Sequence, residues 1–202
     1  MITWGRAAKL SAIVLAVPLA GLLVLEGLYY FKILVSGEYF QRPAISFHDR
    51  QSPVAFLDGL QSYQSVRDVQ QLLMGRSILF EESGFINKGL SPIPFVRPID
   101  YQSTTITVQG FPHLGVAGRL EVEFFNDRLF KVRFFPSNPR RYFEAIAEKE
   151  GIWPGGPTRK EVGPHASMLA VSDDSGKGPY VMWWDSRLAE EESLWWRRHG
   201  SP

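Results

Sequence analysis

Proton transfer or metal binding in this chain would have to use His48, His113, His165 and His199. None of them lies at an H-x-x-x-H spacing from another. There is no cysteine to complete a ligand set. His48-Asp49 reads as a solvated pair rather than a base with its orienting acid. His113 and His165 each follow a proline, in FPHLG and GPHAS, and mark equivalent turns of a weak internal repeat. Glu81-Glu82 falls in a stretch read as strand, where neighbouring side chains point to opposite faces and do not converge. Glu190–Glu192 reads as a solvated helix start. DSGKG (Asp174–Gly178) has neither the spacing nor the strand-to-helix setting of a phosphate loop and reads as a hairpin turn. No G-x-S-x-G, Walker or dinucleotide motif is present. These patterns predict no catalytic residues, no metal and no cofactor. An envelope hydrolase would require His113, His165 and carboxylates to meet in one cleft.

The segment with the clearest physical meaning lies at the N-terminus. Leu10–Leu25 (LSAIVLAVPLAGLLVL) carries no charge, follows Arg6 and Lys9, and continues past Glu26 into GLYYFKILV. As a helix, Leu10–Val35 would reach roughly 39 Å at about 1.5 Å per residue, enough for a bilayer core. Trp4 marks one interface, and Tyr29, Tyr30 and Phe31 the other. Glu26 then falls near the headgroups, away from the midplane where a carboxylate is costly. No A-x-A-like site follows the apolar core, so an uncleaved signal anchor is expected rather than a signal peptide. The basic head places the N-terminus in the cytoplasm. The expected location is a single-pass protein of a bacterial inner membrane with its C-terminal domain in the periplasm.

From Ser36 onward there are 19 Lys and Arg against 20 Asp and Glu. This balance argues against a nucleic-acid partner. The expected organisation is a cytoplasmic head (1–9), a transmembrane anchor (10–35), a linker (36–58) and two α+β units (59–135 and 136–202). In the first unit a helix is predicted over Gln61–Met74, capped by Ser62 or Ser65, with Asp68 at capping-box spacing from Ser65 and Gly75 as its stop. Ile78–Glu82 reads as a short strand. Gly84–Asp100 contains Pro92, Pro94 and Pro98 and so is neither a central strand nor a helix. It still carries Phe85, Ile86, Ile93, Phe95, Val96 and Ile99. Such a loop either closes the core or binds a partner, and these six residues are the candidate partner-binding set.

Tyr101–Gln109, rich in Thr, Ile and Val, reads as a strand. Leu120–Phe135 (LEVEFFNDRLFKVRFF) reads as a hairpin whose register follows from its charges. A three-residue turn at Asn126-Asp127-Arg128 pairs Phe124 with Phe130, Val122 with Val132 and Leu120 with Phe134. It also sets Glu123 against Lys131 and Glu121 against Arg133. One face is then wholly apolar and opposite charges meet on the other. A two-residue turn at Asn126-Asp127 would put Leu120, Val122 and Phe124 on the same face as Lys131 and Arg133 and mix charge into the apolar face.

In the second unit Asn138 caps a helix with Pro139 at its first position and Gly151 as its stop. Phe143, Ile146 and Ala147 are expected to face the core. Strands are predicted near Thr158–Val162, His165–Ser172 and Pro179–Trp184, with Asp173–Gly178 as a turn. VEFFNDRL (Val122–Leu129) resembles VMWWDSRL (Val181–Leu188), and this repeat predicts a hairpin through Leu188. Charge placement instead favours a helix over Leu188–Arg198. Trp195-Trp196-Arg197-Arg198 fits either a membrane interface or one buried and one partly covered tryptophan.

Gly59, Tyr63, Val66, Val69 and Leu72-Leu73, followed by LEVEFFNDRLFKVRF, resemble the glycine–helix opening and strand–turn–strand ending of one known fold. It is shared by the SmpA/OmlA outer-membrane assembly lipoproteins and the β-lactamase inhibitor proteins. The chain departs from that pattern in lacking a lipobox cysteine and in carrying the Pro-rich insertion. The resemblance therefore implies a protein-binding scaffold without catalysis, not an outer-membrane address. The expected fold is α+β: an N-terminal transmembrane helix, then an antiparallel sheet with two packed helices, arranged as a tandem helix-plus-hairpin repeat. The expected role is an accessory or assembly subunit of a cell-envelope complex, with another envelope protein and the lipid bilayer as partners. An inhibitor or immunity protein against an envelope-active enzyme is the second reading, and an envelope hydrolase the third.

Overall fold

A computed structural model describes residues 46–89, 100–156, 158–172 and 176–199. The head, the anchor with Trp4, Tyr29, Tyr30 and Phe31, and the loop residues Ile93, Phe95, Val96 and Ile99 lie outside the described residues. Among the described residues no helix is long and apolar enough to cross a membrane.

Helix α1 (Val66–Gly75) is followed by strands β1 (Glu81–Asn87), β2 (Tyr101–His113), β3 (Val116–Phe125) and β4 (Arg128–Pro136). Helix α2 (Pro139–Glu150) then leads to β5 (Arg159–Glu161), β6 (Ala166–Val171), β7 (Tyr180–Asp185) and helix α3 (Ser186–His199). The strands form one seven-stranded antiparallel sheet in the order β1-β2-β3-β4-β7-β6-β5. A helix followed by an antiparallel meander thus occurs twice, and β4 and β7 meet at the centre. The segments whose sequences look alike do not correspond in this order. Counted from the two strands that meet, Val122 belongs to the next-to-last strand of its meander, β3, and Val181 to the last, β7. From Ser186 the likeness ends altogether, because α3 follows β7 directly where the other segment turns into β4.

The helix starts match their local chemistry. Ser65 Oγ accepts from the Asp68 amide, and Asp68 Oδ2 accepts from the Ser65 amide, which closes the capping box of α1. Asn138 Oδ1 accepts from the Arg141 amide, and Gly151 ends α2 with φ +74°. At α3 the cap comes from Asp185 rather than Ser186. Its Oδ1 accepts from the Arg187 amide at 3.0 Å.

One sheet face carries the core. Ile106, Val108, Leu120, Val122, Phe124, Val132, Phe134, Met168, Val181 and Trp183 pack with Val69 and Leu73 of α1 and with Tyr142 and Ile146 of α2. On α2 the deepest aromatic is Tyr142 rather than Phe143, which is half-buried. The hairpin body keeps the expected register, with Leu120 opposite Phe134, Val122 opposite Val132, and Glu121 and Glu123 opposite Arg133 and Lys131. Lys131 Nζ lies 2.8 Å from Glu123, and Arg133 bridges both glutamates.

The expected three-residue turn is overturned. Asn126 and Asp127 both have positive φ, 49° and 56°, and form a two-residue turn. A bulge then pairs Phe124 with Leu129 and leaves Phe130 as the extra residue. The bulge absorbs the slip, so a short turn and the favoured charge pairing coexist. It also sends Arg128 inward, where its side chain is 1% exposed. The first strand begins later than expected, at Glu81, and includes Phe85 and Ile86, which therefore do not lie in the loop.

Gly118 of β3 admits no side chain. A Cβ there would stand 2.5 Å from the Phe135 carbonyl oxygen and 2.6 Å from the Phe134 ring. Gly118→Ala is expected to lower stability by about 1–3 kcal/mol through overpacking. Gly75→Ala at the end of α1, where a Cβ meets nothing within 4 Å, should raise it by up to about 1 kcal/mol. Urea unfolding midpoints of the two variants check both signs.

Candidate docking site at the sheet edge

The clearest concentration of exposed apolar surface surrounds β1. It is an edge strand, and among the described residues it pairs only with β2. Strand structure here follows from its neighbour: Thr104, Thr105, Ile106 and Thr107 of β2 offer a β-branched ladder opposite Gly84, Ser83, Glu82 and Glu81. Gly84 allows the approach, since a Cβ would lie 2.5 Å from the Ser103 carbonyl oxygen. Both faces of β1 are largely exposed. Phe85 is 55% exposed, Ile86 63% and Leu79, just before the strand, 90%. On the α1 side Gln70 Nε2 donates to Glu82 Oε2 at 2.6 Å and ties the strand to the helix.

On the other side Phe85 belongs to an aromatic row. Its ring centroid is 5.8 Å from Tyr101, which lies 5.0 Å from both Trp195 and Trp196. Tyr101 Oη donates to Glu192 Oε1 at 2.6 Å. Burial, and then the hydrogen bond to Glu192, push the Tyr101 hydroxyl well above its ordinary range, so it stays a donor. Sequence reasoning missed Tyr101, the hub of this row. Its only signal was its place at the start of the Thr-rich strand.

The structure thus brings together residues that sequence reasoning had assigned to separate roles. Phe85 and Trp196 share Tyr101 as a neighbour, while Ile86 points to the opposite face of the strand. Trp195 has no exposed surface and packs between Tyr101 and His199 rather than meeting lipid. Trp196 keeps 39% exposure.

Behind the aromatic row lies a buried ionic anchor. Arg128 Nη1 donates to Glu191 Oε2 at 2.8 Å and to the Asp49 carbonyl oxygen at 2.9 Å. Burial pushes the Glu191 carboxyl up, and Arg128 partly offsets the shift. Asp185 is wholly buried. Burial alone would raise its pKa, but hydrogen bonds from Arg187 and Ser62 outweigh it and hold the carboxyl below its ordinary range. Arg187 also donates to the Ser52 carbonyl oxygen at 2.9 Å, clamping the 47–65 segment to α3.

The histidines do not converge. His113 Nδ1 lies 2.8 Å from Tyr142 Oη within the core, against Phe134 and Trp183. Burial lowers its pKa and favours the neutral ring. His165 is exposed in the β5–β6 connection and His48 is exposed near the start of the described chain. His199 packs against Phe47 and Trp195. Among the described residues no three His, Asp or Glu side chains are placed to hold a metal. A largely apolar groove of about 490 Å³ on α2 is lined by Arg140, Phe143, Glu144, Ala147, Trp153 and Pro154.

Fold and site together define an α+β protein whose described residues form one antiparallel sheet with an exposed edge strand that displays Phe85 and Ile86. The chain matches no model of a known protein family and no curated protein.

Two predictions follow from the ionic anchor. Arg128→Met leaves Glu191 facing a low-dielectric site alone and should cost about 3–5 kcal/mol. Adding Glu191→Gln should return part of that loss, as read by chemical denaturation. The stability Asp185 contributes is complete above its ordinary value of about 3.8 and is lost as pH falls through its lower folded value. Unfolding measured from pH 5 to pH 2 should therefore show a shallower acid limb in Asp185→Asn than in the parent.

Proposed function

We propose that the chain is a single-pass inner-membrane protein, N-terminus in the cytoplasm, whose periplasmic α+β domain binds another envelope protein as an accessory or assembly subunit. Its docking element is the outer edge of β1. The observation that carries this reading is that edge. It is a seven-residue strand with both faces exposed and with Leu79, Phe85 and Ile86 displayed around it. An unpaired strand edge offers main-chain donors and acceptors to an extended segment, and alternate side chains select it. The apolar run Leu10–Leu25 behind a basic head supports the membrane attachment.

The test uses the full chain in membranes with a photo-crosslinking side chain at Phe85 or, as control, at exposed Glu144 of α2. A specific neighbour captured from Phe85, absent from Glu144, and lost on Ile86→Lys is the expected result. Equal capture from both positions, or none from Phe85, overturns the docking reading. Release of the chain from membranes by alkaline carbonate overturns the anchor.

A further inference from the structure

The two edges of the sheet are built differently. β5 has three residues, Arg159-Lys160-Glu161, all charged. Short, charged edges resist the addition of another strand. β1 has seven residues, and its centre, Ser83-Gly84-Phe85-Ile86, carries no charge and no proline. Its charges stand at the two ends, with acidic Glu81 and Glu82 at the start and basic Lys88 one residue past the finish. A strand that is acidic at one end and basic at the other is complementary to itself in the antiparallel sense.

Symmetry narrows the register. Two copies related by a two-fold axis perpendicular to the sheet keep each side chain on its own face, so a residue must meet another an even number of positions away. Centring the axis on Phe85 sets Glu82 against Lys88 of the other copy, twice over. Ile86 then lies opposite Gly84, filling the space left by the missing side chain, and the two Phe85 rings meet on the other face. Centring on Gly84 sets Glu82 against Ile86. Centring on Glu82 brings two like charges together, and centring on Ile86 leaves Lys88 opposite Gly84. Of these registers, only the one on Phe85 joins opposite charges.

Resting on the strand-acceptor reading of β1, we infer that the segment this edge accepts is β1 of a second copy, paired antiparallel about Phe85 so that two sheets become continuous. Phe85, 55% exposed in the single chain, is covered by its counterpart. The aromatic row through Tyr101 to Trp196 then runs across the axis from one copy to the other.

The chain contains no cysteine, so single thiols report the register directly. Full-length Phe85→Cys in mild detergent should form a disulfide-linked dimer under gentle oxidation. Ser83→Cys should not, because its thiols would sit four residues apart, roughly 13 Å, beyond disulfide reach. Glu82→Lys should weaken dimerisation about tenfold by inverting two cross-strand charge pairs, as read by analytical ultracentrifugation. Adding Lys88→Glu should restore it. All four positions are exposed in the single chain, and circular dichroism checks that each variant folds. Equal crosslinking at residues 83 and 85, or Glu82→Lys alone leaving the mass unchanged, overturns the inference. If Phe85→Cys stays monomeric while the photo-probe at Phe85 still captures a different protein, the self-pairing falls and the docking role stands. If neither occurs, both fall.

Discussion

Asn126 and Asp127 tie together parts of the chain that are far apart in sequence. The Asn126 amide donates to the Gln102 carbonyl oxygen at 2.9 Å, and its Oδ1 accepts from the Gln102 amide at 2.7 Å. Asp127 Oδ1 accepts from the Val66 amide at the start of α1. Two residues past the turn, within β4, Leu129 makes a second link: its carbonyl oxygen accepts from the Tyr63 amide and its amide donates to the Gln64 carbonyl oxygen. The turn thus seats α1, starts β2 and fixes the loop before the helix. Its positive φ values suit Asn and Asp, which tolerate the left-handed region better than other side chains. The bulge that follows sends Arg128 inside, and a buried guanidinium must find acceptors. Glu191 supplies one from α3. The course of the C-terminal helix is in this sense demanded by a turn sixty residues earlier.

Much of this was legible in the chain. Alternation between apolar and charged residues in LEVEFFNDRLFKVRFF set the body of the hairpin, because any one-residue slip would carry Lys131 and Arg133 into the core. Asn138-Pro139 and Gly151 bounded α2, and Ser65 with Asp68 opened α1. The turn was misread because a ladder with a bulge and a ladder with a longer loop give the same pairing further along. Nothing in the composition of Phe124–Phe130 separates them. Edge strand β1 was read too early for a related reason. A strand exposed on both faces has no alternation to detect, and Gly84 within it looks like a breaker. The likeness of Val122–Leu129 to Val181–Leu188 misled in the opposite direction. It compared strands that hold different places in the two meanders, and the glutamates after Leu188 were the better guide to α3.

The two faces of the sheet do different work. The face under α1 and α2 carries the apolar core, with Glu82 and Lys160 at its two margins. The other is crossed by Thr105, Glu123, Lys131, Trp184 and Ser167 in one row and by Thr107, Glu121, Arg133, Met182 and Leu169 in the next. Cross-strand charge pairs fill its centre, Arg159 lies over Trp184 at 5.3 Å, and α3 with Phe47 closes only the end around Tyr101, Phe125 and Arg128. Burial of Trp195 and Arg128 at that end makes a second, smaller core. This core holds the aromatic row against β1, so the proposed docking edge is backed by packed side chains of α3.

The three charged residues of β5 carry a consequence for how large any assembly can grow. A sheet with two receptive margins would recruit chain after chain and lengthen into a filament. Among the described residues the margin proposed to receive a strand is β1, and the opposite one is the short, wholly charged Arg159, Lys160 and Glu161. If β1 accepts a strand as proposed, the sheet of the described residues offers no second receptive margin, and the assembly would terminate after a single addition.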